Sequence, residues 1–366
     1  MKEFGKAVTR LIKHEDLSYG ETYHFFEQIM DDKPSQMHQG AFIAALSAKG
    51  ASPDETLAIW KCIMDRDTNR VSLDTEKPVV DNCGTGMDSI KTFNISTASA
   101  IVASSLGAVV ARHGSRGLTS ACGTVDLLER LGVGVEVPVE IVKESIEKAG
   151  IGIFNGMSGQ VHPQALGRIL SQISFGSVLN IAASLSNPAN PLYAVRGVYD
   201  KNMVSPIANL MNANGFKRAV VVCGLKENGE NGIDEACTMG DTLYAEIKDG
   251  EVLTGSFSPS DFGLAKTGSD DIRGLGNAEA EENRFLSILL GRGKRAETEI
   301  VALNSALVLY VSGITRTIGQ GVAECLEAIK SGGAIEKLRE WVRRQNTDGA
   351  EKSASLDRKI SAARAS

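Results

Sequence analysis

The chain has 366 residues, enough for two domains, and its 42% hydrophobic and 23% charged content is typical of a globular protein with a sizeable core. Its 38 glycines stand against only 5% aromatic residues, which favours an α/β enzyme with many tight turns. The net charge of −6 argues against extensive binding to nucleic acid, although it leaves room for a local basic pocket.

Membrane, secretory and metal-finger classes are also disfavoured. The longest apolar runs are interrupted by Ser and Gly and are shorter than a membrane span. The first twenty residues lack the apolar segment of a signal peptide. The six cysteines are scattered without a CxxC pair, so we expect neither a disulfide framework nor a zinc site, and we expect a cytoplasmic protein.

Residues 1–70 are predicted to form a small helical domain. Ser18 and Glu21 have the spacing of a helix-capping box, and Ser52 and Glu55 repeat it with a proline at the first helical position. Apolar residues then recur at helical spacing, which favours core packing or dimer contacts over a direct chemical role; they are Leu57, Trp60, Ile63 and Met64.

From residue 71 to 345 the pattern changes to short apolar strands that alternate with helices, which predicts an α/β domain with a mostly parallel central sheet. We predict strands at 78–81, 108–111 and 219–223, and helices at 96–106, 126–131, 298–312 and 319–331. Residues 240–275 are turn-rich and suit a small antiparallel excursion. The tail, residues 346–366, lacks a clear apolar face and is predicted to be frayed.

Three polar segments follow the first predicted strands and suit a phosphate group. The small residues 83–86 allow backbone N–H groups to approach an anion, and the next helix begins with Asn94, Ser96 and Thr97 at its positive end. Arg112, His113 and Arg116 follow the second strand. Each segment alone has a plain structural explanation as a common turn, a helix cap or surface charge. Together, at the carboxyl ends of neighbouring strands, they predict a site for a phosphorylated ligand.

The segment GTGMDSIKTFNIST, residues 84–97, resembles the GTGGDxxxTFNIST signature of the anthranilate phosphoribosyltransferase family, and RHGSR at 112–116 resembles that family's KHGNR. Matching segments continue in order at 123–126, 162–163, 186–189, 232–235 and Asn304. The resemblance implies a helical domain joined by hinges, with helices from about 165–200, to an α/β domain. It also implies a homodimer formed through the helical domain.

The resemblance further implies transfer of the phosphoribosyl group of phosphoribosyl pyrophosphate (PRPP) to the amine of anthranilate, with release of pyrophosphate, in tryptophan biosynthesis. It places PRPP on Gly84, Thr85, Gly86, Asp88, Thr92, Asn94, Ser96, Thr97, Arg112 and Thr124. Two magnesium ions are implied, one at Ser96 and one at Asp234 and Glu235. Arg112, His113, Asp234 and Glu235 are implied to serve the chemistry, with His113 positioning a group rather than accepting a proton.

The acceptor is implied to meet Gly84, Ser115, His162, Arg168 and Gln172, and here the chain departs from the family. Met87 replaces the third glycine of GTGGD, and Ser115 replaces the asparagine of KHGNR. An ungapped count places Gln172 where the family has an arginine for the anthranilate carboxylate, and Arg168 lies one helical turn earlier. We therefore predict that an arginine at Gln172 would improve anthranilate binding.

Other functions remain open at this point. Residues 115–126 also resemble a loop of pyrimidine and archaeal AMP phosphorylases, although those enzymes carry a Lys-His-Ser loop where this chain has residues 82–84. A different aromatic amine or a nucleobase is a further alternative acceptor. A non-catalytic relative that binds nucleic acid is the third, and the acidic charge disfavours it.

Overall fold

A computed structural model describes residues 2–117, 122–173 and 175–365. Four helices open the chain: α1 (Lys2–Ile12), α2 (Tyr19–Met30), α3 (Gln36–Lys49) and α4 (Pro53–Arg66). The capping boxes at Ser18 and Ser52 are confirmed, since each serine accepts the backbone N–H of the glutamate three residues on and each glutamate accepts the serine's N–H.

Strands and helices then alternate in the body. The strands are β1 (Val79–Cys83), β2 (Val109–Gly114), β3 (Ile151–Asn155), β4 (Tyr193–Gly197), β5 (Arg218–Leu225), β6 (Asn231–Ile233), β7 (Thr242–Lys248) and β8 (Glu251–Phe257). The helices between and around them are α5 (Ile95–Ser105), α6 (Thr124–Arg130), α7 (Val139–Ala149), α8 (Leu166–Ile173), α9 (Leu179–Ala182) and α10 (Val204–Ala213).

The remaining helices are α11 (Ser269–Ile272), α12 (Ala278–Leu289), α13 (Arg295–Val311), α14 (Ile318–Ser331), α15 (Gly333–Arg344) and α16 (Gly349–Ala365). The prediction of a frayed tail is wrong for the described part of that segment. Leu356 and Ile360 of α16 lie one turn apart on the same face of the helix. Both are fully buried in the main hydrophobic core, which also holds α5 and α13. Ser366 lies outside the described residues.

One sheet organises the molecule, in the order β3-β2-β1-β4-β5-β7-β8. The first five strands are parallel, whereas β6 and β7 pair antiparallel with β5, and β8 pairs antiparallel with β7. The predicted fold class, a helical N-terminal region with a mostly parallel sheet, is therefore confirmed, as is the antiparallel excursion. Parallel strands align their carboxyl ends, which places the loops after β1 and β2 at one edge.

The sheet separates the two largest of the three hydrophobic cores that the described residues form. Along β5, Val220 and Val222 point into the core that holds α5 and α13, whereas Val221 and Cys223 point into the core that holds α2, α4 and α10. Helices α8 and α9 belong to this second core, so they return the chain to the N-terminal helices. Among the described residues, no helix is both long enough and apolar enough to cross a membrane.

Candidate active site

The loop after β1 lies against a carboxylate. The backbone N–H of Gly86 donates to Oδ2 of Asp234 over 2.6 Å, and the Thr85 hydroxyl lies 3.3 Å from the same oxygen. A Cβ on Gly84 would lie only 2.6 Å from the Asp234 Cγ atom, and Gly86 has a φ of +70°. Glycine is therefore required at the first position by close approach and favoured at the second by backbone conformation.

The start of α5 supplies hydroxyl groups and carries a buried cation beneath it. Arg112, which is 2% exposed, donates to the Thr97 hydroxyl over 2.6 Å, to the Ser96 hydroxyl over 2.9 Å and to Oδ1 of Asn82 over 3.1 Å. Burial lowers the pKa of Arg112 from its ordinary value, but a guanidinium keeps its proton. The positive charge of Arg112 and the positive end of the α5 dipole thus lie together, and both attract an anion.

The segment after β2 contacts the start of α5. The Thr124 hydroxyl, at the beginning of α6, donates to Oδ1 of Asn94 over 3.3 Å. Arg116 forms ion pairs with Asp126, Glu129 and Glu136, so its charge is already balanced. Residues 118–121, within the segment that resembles the phosphorylases, lie outside the described residues.

Three carboxylates converge beside the glycine loop. Asp88, Asp234 and Glu235 each offer an oxygen within 4.8 Å of the other two. Burial and the charge of Asp234 raise the pKa of Asp88 to about 7 and raise the pKa of Glu235 well above its ordinary value. Oε2 of Glu235 is buried with no hydrogen-bond partner. A hard divalent cation would relieve this repulsion and satisfy that oxygen, so the residues fit a metal ion.

These groups line a single cavity of about 500 Å³. Of the residues named individually from the sequence, those that line it are Gly84, Thr85, Gly86, Met87, Asp88, Thr92, Asn94, Ser96, Arg112, His113, Ser115, Arg116, Thr124, Asp234 and Glu235. Thr97 is fully buried just outside the lining and bonds to Arg112. Asp88 is distant from Asp234 and Glu235 in the sequence, whereas in the structure the three carboxylates lie close together.

A buried histidine pair stands behind the cavity. The Nε2 atoms of His113 and His162 lie 3.1 Å apart, and Nδ1 of His162 lies 2.7 Å from the Asp67 carbonyl oxygen. Burial lowers the pKa of both rings, and His162 adds to the effect on His113. His113 lines the cavity as a neutral ring, whereas His162 does not line it and holds His113 from the rear.

The structure does not place Arg168 and Gln172 at the cavity. Arg168 donates to Oε1 of Gln39 and to the Ile29 carbonyl, both over 3.0 Å, and pairs with Asp32 over 3.1 Å. Gln172 is exposed on the same side of α8. Neither residue is among those that line the cavity, and their predicted contact with an acceptor stays a prediction.

Other lining residues escaped the sequence reasoning. Lys91 reaches the cavity beside Asp88, and Asn180 donates to the Thr85 carbonyl over 3.2 Å, which ties the α8–α9 region to the glycine loop. Apolar members that the sequence did not indicate include Leu166, Leu170, Phe175, Leu179 and Ala183. The spacing of Leu166 and Leu170 by one helical turn was the available signal for the apolar members.

Comparison with known proteins agrees with this architecture. Residues 76–335 match the family model "glycosyl transferase family, a/b domain", and residues 6–66 match "glycosyl transferase family, helical bundle domain". The two matches together define a two-domain glycosyl transferase.

The curated relatives narrow the class. The chain is 35% identical over 338 residues to the anthranilate phosphoribosyltransferase of Vesicomyosocius okutanii, covering 92% of this chain and 97% of the relative. It is 35% identical over 343 residues to that of Acetivibrio thermocellus, covering 93% and 96% respectively. The chain therefore belongs to the anthranilate phosphoribosyltransferase family.

Solved structures show the same fold. The Thermus thermophilus anthranilate phosphoribosyltransferase superposes with a TM-score of 0.81 at 29% identity, covering 93% of this chain and 99% of that one. The Saccharomyces cerevisiae enzyme, solved in complex with PRPP and Mg, superposes with a TM-score of 0.78 at 19% identity, covering 97% and 98%.

Proposed function

We propose that this protein transfers the 5-phosphoribosyl group of PRPP to the amine of anthranilate and releases pyrophosphate. The observation that carries the proposal is the meeting, in one cavity, of an anion-binding helix start over Arg112 with the carboxylates of Asp88, Asp234 and Glu235. Such a pairing suits a diphosphate and the magnesium that accompanies it. The family relatives support anthranilate as the acceptor.

We propose two magnesium ions, one held by Asp234 and Glu235 with Asp88 beside them, and one at Ser96. When bound, magnesium would neutralise negative charge on the diphosphate. The chain's own residues do the rest. The Ser96 hydroxyl lines the cavity at the positive end of α5, and Arg112, held by Thr97, lies beneath it, so these groups stabilise the charge that builds up on the leaving pyrophosphate.

The incoming amine needs orientation rather than a strong base. An aromatic amine is uncharged at neutral pH, so its lone pair is already available for attack on the anomeric carbon. His113, kept neutral by burial and by His162, lines the cavity and fits a positioning role. The excess proton of the product is then free to pass to solvent.

We also propose that the protein acts as a homodimer in the cytoplasm. The N-terminal helices present large apolar side chains to solvent, since Ile12 is 66% exposed and Met37 is 85% exposed. Covering these side chains with a second copy would remove them from water. The six cysteines are all unpaired, which fits a reducing compartment.

The test is to incubate the protein with PRPP, magnesium and anthranilate and to follow the loss of anthranilate fluorescence. We expect D234A/E235A to lower kcat/KM by at least about 100-fold, because the cation loses its ligands. The matched control E227A/E230A removes two exposed carboxylates just before β6 and should keep its activity. Full activity of the D234A/E235A variant would overturn the metal assignment. Pyrophosphate release only with another amine would overturn anthranilate as the acceptor.

A further inference from the structure

One wall of the cavity is apolar. Helices α8 and α9 and the residues that join and follow them contribute most of it, and Met87 of the glycine loop completes it; the residues are Met87, Leu166, Leu170, Phe175, Leu179 and Ala183. A Cβ on Gly176 would lie 2.7 Å from Cε of Met87, so this wall and the glycine loop are in close contact. The anion-binding hydroxyl groups and carboxylates lie elsewhere in the lining, which leaves this wall for the ring of the acceptor.

The direction of α8 determines which side chains this wall receives. Leu166 and Leu170 lie one turn apart and both line the cavity. Arg168 projects from the opposite face, because each residue turns the helix by about 100°. Its guanidinium is held there by Gln39, Asp32 and the Ile29 carbonyl. The cation closest in sequence to the apolar wall is therefore engaged with the N-terminal helices.

The cations that do line the cavity are engaged as well. Within the described part of the chain, they are Lys91, Arg112 and Arg116. Lys91 lies 3.1 Å from the Gly86 carbonyl and 3.4 Å from Asp88. Arg112 is bonded beneath the start of α5, and Arg116 is balanced by three carboxylates.

Residues 118–121 and 174, which lie outside the described ranges, include no cationic side chain. They are Leu, Thr, Ser, Ala and Ser. His113 is the remaining titratable base in the lining, and burial lowers its pKa well below the ordinary value. A carboxylate pressed against the apolar wall would have no cationic partner there, which is unfavourable.

We propose that the acceptor ring is held against this wall by apolar contact, and that the site does not use the carboxylate of the acceptor as a recognition element. The proposal rests on the proposed function, since it concerns the acceptor of that same transfer. Anthranilate would be accepted because its ring fits the wall, while its carboxylate faces away from Leu166 and Leu170. An uncharged analogue of the same shape should then serve equally well.

The experiment compares anthranilate with 2-aminobenzamide, in which a neutral amide replaces the carboxylate. With PRPP and magnesium saturating, we expect the two values of kcat/KM to differ by less than about tenfold. A preference for anthranilate of about tenfold or more would overturn the proposal, because a desolvated cation–carboxylate contact has that effect or a larger one. Transfer to 2-aminobenzamide alone would support this proposal and overturn anthranilate as the acceptor.

Binding separates the two proposals if neither amine is turned over. That result overturns the proposed function, and the dissociation constants of both fluorescent amines, measured by titration with pyrophosphate and magnesium present, then decide this inference. Equal constants within about tenfold support it, and tighter binding of anthranilate beyond that overturns it.

Adding a cation to the wall provides a gain-of-function test. Leu170 is half-buried, and L170R should raise the ratio of kcat/KM for anthranilate to that for 2-aminobenzamide by at least about tenfold. The matched control S171R places the same charge at an exposed position of α8 and should leave the ratio unchanged. If L170R fails to fold, M87K tests the same wall from the glycine loop. An unchanged ratio in a folded variant would overturn the proposal.

Discussion

A methyl group added at Gly84 would clash with a single side chain, that of Asp234. All three of the nearest atoms to a Cβ built there belong to the Asp234 carboxylate, with Oδ1 at 2.9 Å. Asp234 in turn accepts the Gly86 N–H, so its displacement would disturb both the loop and the carboxylate cluster. The need for glycine at this position is therefore tied to the chemistry of the cavity rather than to a turn.

We expect G84A to lower kcat/KM by at least about 100-fold and to raise the magnesium concentration needed for half-maximal activity, because Asp234 must move. Steady-state kinetics across a magnesium series measures both effects. The control G159A adds a methyl group where nothing lies within 4 Å, and its activity should be unchanged. Wild-type kinetics in G84A would contradict the contact with Asp234.

Helix α16 shows how a narrow apolar stripe stabilises a terminal segment. Leu356, Ile360 and Ala363 are spaced by four and three residues and are all buried against the main core. The rest of the segment is polar or small, so its stripe is too sparse to stand out in the sequence. The packing partners come from distant parts of the chain, which periodicity alone does not reveal.

We expect L356A and I360A each to lower the free energy of unfolding by about 2–5 kcal/mol, since each leaves a cavity in a packed core. Urea denaturation followed by circular dichroism measures the loss. The exposed neighbour R358A serves as the control and should change stability by less than about 0.5 kcal/mol. Equal stability of all three variants would mean that α16 is not packed as described.

Helix α8 illustrates the limit of counting along a sequence. The ungapped count along the sequence from His162 and Pro163 gives the order of the residues, and it predicted Arg168 and Gln172 as acceptor residues. It does not say which face of the helix meets the cavity. The structure turns Leu166 and Leu170 inward, and the partners of Arg168 in the N-terminal helices fix the opposite face.

Across the whole chain, the predictable features were those with local signals. Alternating strands and helices, capping boxes and glycine turns predicted the fold class and the convergence of the loops after β1 and β2. The cluster of Asp88 with Asp234 and Glu235 was not predictable from spacing, because it depends on the loop after β1 meeting the turn after β6. The apolar wall likewise arises only where α8 and α9 pack against the glycine loop.

Asp67 connects the N-terminal helices to the start of α8. Asp67 follows α4 directly, is 1% exposed, and accepts the backbone N–H groups of Gln164, Ala165 and Leu166 over 2.5, 3.0 and 2.6 Å. It thus fixes the beginning of α8 to the end of α4. Its carbonyl oxygen also lies against His162, which holds His113 at the cavity.

We expect D67A to lower the free energy of unfolding by about 3 kcal/mol, because three backbone N–H groups, two of them buried, lose their acceptor. It should also raise the KM for the aromatic amine more than the KM for PRPP, since α8 carries Leu166 and Leu170 of the apolar wall. Urea denaturation and steady-state kinetics measure the two effects. The control D65A removes a half-exposed carboxylate two residues earlier and should cost less than about 1 kcal/mol. An equal rise in both KM values would show that Asp67 supports the fold in general rather than the position of α8.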